Sequence, residues 1–167
     1  LLYQPLLENL VTYNYAFSPN QQQIAYTTVV DTNGDGHVSQ DSNNRGFDLS
    51  LLHIYDLNTQ TNQSLPWSAN VFGFYWMNAE TILFRTTRPD DNRLYQPYSA
   101  PTNGGEVYEP FSAFTEHSTQ WINLSPNRQY LVATLSEPES NSTPIHTIIF
   151  DVHQQVNKLT LPPIQSA

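Results

Sequence analysis

Three stretches of this chain repeat one order of residue chemistry, and no other feature restricts its fold as much. Tyr15-Ala16-Phe17-Ser18-Pro19-Asn20 is followed, three residues later, by Ile24-Ala25-Tyr26. Trp121-Ile122-Asn123-Leu124-Ser125-Pro126-Asn127 is followed by Tyr130-Leu131-Val132-Ala133. Between them, Phe74-Tyr75-Trp76-Met77-Asn78-Ala79-Glu80 leads into Thr81-Ile82-Leu83-Phe84, the same frame with an altered turn. Phe17 and Trp76 lie 59 residues apart and Trp76 and Leu124 lie 48 apart, so the first unit carries an insertion.

Each unit reads as strands joined by turns. Tyr13, Tyr15 and Phe17 alternate with polar or small residues, the period of two that marks a half-buried strand. Ser-Pro-Asn then reverses the chain, because Pro presets φ and Asn tolerates the conformations that close a turn. Residues 23–30 form the return strand, Leu51 to Leu57 a third, and a short fourth ends at Leu65-Pro66 after the turn Asn58-Thr59-Gln60. In the third unit Ile148-Ile149-Phe150-Asp151-Val152 matches Ile54-Tyr55-Asp56-Leu57, and Lys158-Leu159-Thr160-Leu161-Pro162 matches the fourth strand. Four strands recurring about every 40–50 residues without helical periodicity predict propeller blades. The expected fold is all-β, a β-propeller with about three four-stranded antiparallel blades at 11–65, 71–109 and 119–162. Residues 1–8 are expected to supply a strand of a neighbouring blade. A generic antiparallel sandwich is the competing architecture. Phe17, Ile24, Trp76, Leu83, Leu124 and Leu131 hold equivalent apolar positions and are expected in the core.

The order aromatic-Ser-Pro-Asn, gap, Ile-Ala-Tyr, loop, Ile-Tyr-Asp-Leu, turn, Ser-Leu resembles the blade repeat of the TolB-like, WD-repeat-like (PD40-type) β-propellers. It also resembles the propeller domains of dipeptidyl-peptidase-like enzymes. The resemblance covers nearly the whole chain. Where that family has Asp-Gly after Ser-Pro, this chain has Asn20-Gln21 and Asn127-Arg128, and its middle unit has no Ser-Pro.

Composition bounds the partners. Fifteen acidic against six basic residues among 167 give a formal charge of −9, which repels phosphate backbones and anionic lipid, so nucleic acid is excluded as a natural partner. The opening LLYQPLLENL lacks a basic stretch and is too short to span a bilayer. With no cysteine, neither a disulfide framework nor a thiolate metal site can form. A single Lys among many Asn, Gln, Ser and Thr gives the look of an exported bacterial domain, periplasmic or extracellular.

One local pattern points to a metal. Within the insertion, Asp31, Asn33 and Asp35 stand at positions 1, 3 and 5 of a calcium-type loop, with Gly36 at 6 and the His37 carbonyl at 7. Position 12 is Ser42, so Asp41 or Asp48 would have to complete the shell. The expected cofactor is one structural Ca2+. A solvated acidic turn is the alternative, since Asn-Gly and Asp-Gly also signal hairpins. The five histidines, at 37, 53, 117, 146 and 153, show no transition-metal spacing, and there is no nucleophile elbow or phosphate loop.

No catalytic set emerges, and the expected function is a non-enzymatic, exported binding or assembly module. The alternatives are the propeller of a dipeptidyl-peptidase-like serine peptidase and a structural subunit joined through open blade edges. Closed propellers have at least four blades and unpaired sheet edges demand cover. The expected partners are therefore a protein, further blades of a longer polypeptide, or a second copy forming a homodimer with a six-bladed ring.

Overall fold

The computed structural model describes residues 10–31, 49–65, 71, 73–87, 95–105, 117–136, 144–154 and 156–162. Those residues form eleven strands in three antiparallel sheets. By chain contacts the protein divides into two compact units, Leu1–Phe72 and Gly73–Ala167.

The first unit holds one four-stranded sheet in sequential order: β1 (Leu10–Phe17), β2 (Gln23–Val30), β3 (Leu49–Asp56) and β4 (Thr61–Ser64). The second unit holds two. β5 (Gly73–Trp76), β6 (Thr81–Thr87) and β7 (Tyr95–Pro101) make a three-stranded sheet. β8 (Ser118–Leu124), β9 (Tyr130–Ser136), β10 (Pro144–Asp151) and β11 (Val156–Leu161) make a four-stranded one. A fourth strand expected for the middle unit toward residue 109 lies outside the described residues, as does the strand expected at 1–8.

The repeat seen in sequence recurs in the hydrogen bonds of the two Ser-Pro turns. Ser18 N–H donates to the Gln23 carbonyl (2.9 Å) and Ser125 N–H to the Tyr130 carbonyl (2.8 Å). Each serine hydroxyl donates to the Asn two residues on, Asn20 or Asn127, at 2.7 Å. Each serine Oγ also accepts the N–H that opens the return strand, from Gln23 or Tyr130, at 2.9 Å. Farther along, Asp56 and Asp151 clasp equivalent turns. Asp56 Oδ1 accepts from the N–H groups of Asn58 and Thr59, and Asp151 Oδ1 from those of His153 and Gln154. The Thr59 and Gln154 N–H groups are the main causes that hold these carboxyls below the usual carboxylate range. The middle unit has Pro101 at this position and so has no such clasp.

The turn geometry shows what residue the position after Asn20 and Asn127 would favour. Gln21 (φ 59°) and Arg128 (φ 58°) occupy the left-handed region, where Cβ crowds the carbonyl and Gly alone is unstrained. Arg128 gains in return, since its Nε donates to the Trp76 carbonyl at 3.0 Å and ties the third sheet to the second. Gln21→Gly is therefore expected to stabilise the protein by about 1 kcal/mol. Arg128→Gly should gain nothing, because the lost bond offsets the relieved strain. Paired thermal melts of the two variants check this, and equal shifts would refute the account.

The paired residues Phe17–Ile24, Trp76–Ile82 and Leu124–Leu131 close the three equivalent hairpins. Ile82, rather than Leu83, is thus the counterpart of Ile24 and Leu131, because the middle turn is one residue shorter. Of the six expected core residues, Trp76, Leu83 and Leu131 are buried. Ile24 and Leu124 are half-buried, and Phe17 is 56% exposed, which corrects its assignment to the core. Its position on the strand is as expected, but its side chain lies on a sheet face left open.

The core of the second unit shows what covers such a face. Ile122, Leu131, Ala133, Ile148 and Phe150 of the third sheet cluster with Leu83 of the second, with Tyr75 and Met77 packed alongside. One face of the third sheet therefore seats on the opposite face of the second. Tyr75 reinforces the contact by donating its hydroxyl proton to the Ile122 carbonyl at 2.9 Å.

Candidate functional site

Two sheet faces, one polar cluster and one insertion are the features that could carry function. Cross-strand register defines the first face. Tyr15, Tyr26 and His53 form one row across β1–β3, and Phe17, Ile24 and Tyr55 the next, all on one side of the first sheet. Tyr15 is 74% exposed, and Ile24, Tyr26 and Tyr55 are half-buried. The positions matching these rows are Phe74, Trp76, Ile82, Phe84, Tyr98 and Ala100 in the second sheet, and all are buried.

His53 anchors this face. Its ring stacks on Tyr26 (centroids 5.0 Å apart, planes at 17°), and its two nitrogens pair with the hydroxyls of Thr28 (2.8 Å) and Ser64 (2.9 Å). Burial lowers its pKa below that of a free imidazole, so the ring is held neutral with one nitrogen donating and the other accepting. A Ser64–His53 pair suggests a nucleophile and base. The second ring nitrogen faces a hydroxyl instead of a carboxylate, so nothing strengthens the base, and the arrangement serves as a structural tie across β2, β3 and β4.

The second face belongs to the third sheet. Trp121, Thr134, Thr147 and Leu161 form one row and Asn123, Val132, Ile149 and Leu159 the next. Trp121 is 74% exposed, and Val132, Leu159 and Leu161 are all exposed. This is the reverse side of the sheet whose other face forms the core.

At the base of Trp121 sits Arg85, on β6. Its guanidinium lies 5.2 Å from the Tyr95 ring centroid and 6.0 Å from that of Trp121, and Nη1 donates to the Thr119 carbonyl at 3.0 Å. Burial works against its charge, and the phenols of Tyr95 and Tyr75 partly offset that effect. His117 and His146 meet edge to face with centroids 5.5 Å apart. Among the described residues, no group of three or more His, Cys, Asp or Glu side chains could hold a metal, and no helix is long and apolar enough to cross a membrane.

Of the expected calcium ligands, only Asp31 is described; it follows β2 directly and is half-buried. Asn33, Asp35, His37, Asp41 and Asp48 lie outside the described residues. The pairing of Val30 with Leu49 does hold the two ends of the insertion side by side. His153 is exposed in the turn that Asp151 clasps.

No family model and no curated protein matches the sequence. Solved structures do match the fold. An oligogalacturonate lyase in complex with manganese aligns with a TM-score of 0.67 at 12% identity, over 94% of this chain and 44% of that one. The β-propeller domain of the Trilobed protease from Pyrococcus furiosus aligns with a TM-score of 0.62 at 8% identity, over 96% of this chain and 45% of that one. A prolyl endopeptidase aligns with a TM-score of 0.58 at 13% identity, over 95% of this chain and 22% of that one. The fold is that of part of a β-propeller, and its three sheets correspond to blades. The chain spans less than half the length of each of these proteins.

Proposed function

We propose that this chain is a non-enzymatic, exported β-propeller module of the TolB-like kind that works by binding and assembly, with one structural calcium ion in its first-blade insertion. The observation that carries this reading is the pair of apolar blade faces left open, Tyr15–Phe17–Tyr26–Tyr55 on the first sheet and Trp121–Val132–Leu159–Leu161 on the third. Such surface in water is unfavourable by roughly 25 cal/mol per Å² of apolar area, and soluble proteins keep large exposed apolar patches for partners.

Calcium in the insertion would neutralise the four aspartates within residues 31–48, a segment whose ends the Val30–Leu49 pair already brings together. Titration calorimetry is expected to give calcium heat for the wild type and none for Asp31→Ala or Asp35→Ala. Saturating calcium should raise stability by about 2.7 kcal/mol at one hundred times Kd. Absent heat in the wild type, or equal heat in all three proteins, would remove the metal from this reading.

The likeness to the Trilobed protease propeller and to a prolyl endopeptidase favours one second reading, in which these blades belong to a serine peptidase and gate its catalytic domain. Its test is the parent reading frame: a Gly-x-Ser-x-Gly elbow encoded beyond residue 167 would support it, and a frame without one would reject it.

A further inference from the structure

The core-facing side of the third sheet is apolar in two successive rows and turns polar in the next. Leu124, Leu131 and Phe150 stand opposite one another across β8, β9 and β10, followed by Ile122, Ala133 and Ile148. The third row is Thr119, Leu135 and His146, in which only Leu135 is apolar and belongs to the core cluster. Thr119 is wholly buried, and its hydroxyl has no hydrogen-bond partner among the described residues. His117, just before β8, is half-buried and sets its ring edge to face against that of His146, with centroids 5.5 Å apart. Its Nδ1 is buried and likewise has no partner among the described residues. Buried polar atoms are nearly always paired, so two such atoms, two positions apart at one end of one sheet, require an explanation. Apolar residues there would extend the core without leaving polar atoms unsatisfied.

We infer that His117 and His146 are the protein ligands of one divalent transition-metal ion of the zinc class, held at this polar end of the third sheet. The ring geometry fits. A zinc-bound imidazole nitrogen lies about 2.0–2.1 Å from the metal, which puts the ring centroid about 3.2 Å away, and two rings at a tetrahedral angle then have centroids about 5.2 Å apart. The observed separation of 5.5 Å is close to that value. The donor set fixes the class of ion, because imidazole nitrogens suit Zn2+, Ni2+ or Cu2+ whereas Ca2+ and Mg2+ take oxygen ligands. Two protein ligands leave coordination positions open to water or to a donor atom of a bound molecule, and both rings are only half-buried. This site is independent of the calcium expected in the insertion, whose oxygen donors belong to the first unit. Sequence spacing hides the pair, because 29 residues separate its members and only the register of β8, β9 and β10 joins them.

The test uses the intact chain and Zn2+ alone as the probe, with excess Ca2+ present to fill oxygen-donor sites. Titration calorimetry at neutral pH is expected to show one zinc ion per chain. Losing an outer-shell partner of a metal ligand already weakens binding by roughly tenfold or more, so His117→Gln and His146→Gln should each weaken it by at least about tenfold. His37→Gln and His153→Gln remove imidazoles outside the pair and should leave the affinity unchanged. Should a glutamine variant fail to fold, the wild type gives a second reading by histidine NMR. Paramagnetic Co2+ should broaden the imidazole signals of His117 and His146 before those of His53, whose two nitrogens are held by hydroxyls, and of His153. A wild type that takes up no zinc, an affinity unchanged in either His117→Gln or His146→Gln, or cobalt broadening that reaches His153 as early as the pair would overturn the site.

Discussion

Leu131→Ala is expected to destabilise the protein by about 2–5 kcal/mol, the range for deleting a buried leucine side chain and leaving a cavity behind. Leu131 is wholly buried in the cluster that joins the second and third sheets, packed among Leu83, Ala133, Ile148 and Phe150. Its chain neighbour Val132 points to the other side of the same strand and is exposed at 38%. Val132→Ala removes two methyl groups yet should cost about 0.5 kcal/mol or less in the monomer, as for surface substitutions generally. Chemical denaturation of the two variants measures the alternation directly. Equal losses would mean that the inward face is misassigned.

Arg85→Ala should come next in effect, at about 3 kcal/mol. A hydrogen bond from a charged donor contributes about 1.5–3 kcal/mol, and a cation over an aromatic ring adds about 0.5–2 kcal/mol where water is displaced. Arg85 supplies both, donating to the Thr119 carbonyl while facing the rings of Tyr95 and Trp121. Arg85→Lys is expected to recover less than half of the loss. An ammonium group keeps the charge but lacks the planar fork that reaches the carbonyl and lies against the rings together. Thermal melts of the two variants, read beside Trp121 fluorescence, check both parts. Full rescue by Lys would show that charge alone matters at this position.

The strands and turns were legible because their chemistry is local. Ser-Pro-Asn encodes its own turn, and the bonds from Ser18 to Asn20 and Ser125 to Asn127 span only two residues. Alternation identifies which residues share a side but not what covers that side, and Phe17 lies on a face where it stays 56% exposed. The middle repeat misled by one position: Met77–Glu80 is a shorter turn, which moved the counterpart of Ile24 from Leu83 to Ile82. Leu83 is buried all the same, as the seat for the third sheet. His53 gave no signal of its role, since Thr28 lies 25 residues away and only the β2–β3 register joins them. Arg85 did leave a trace, as the lone charge within Thr81-Ile82-Leu83-Phe84-Arg85-Thr86-Thr87. A cation in such a strand needs a carbonyl or a ring to face. For the calcium loop the sequence still provides the whole argument beyond Asp31.

The hydrogen bonds that the first and third turns share bear on how the chain avoids tangling as it folds. Chains built of like units risk exchanging strands between them during refolding, and such misassembly is a characteristic failure of repeat proteins. Here β1–β2 and β8–β9 share a turn and a register, so an exchange between them would keep its ladder. The unit between them breaks the likeness. Its hairpin is one residue shorter, so a strand borrowed from either neighbour would slip by one position and turn its apolar side chains to the wrong face. Interchangeable units are thereby kept apart along the chain, and the odd turn at Met77–Glu80 acts as a spacer that makes the nearest mispairing the least favourable one.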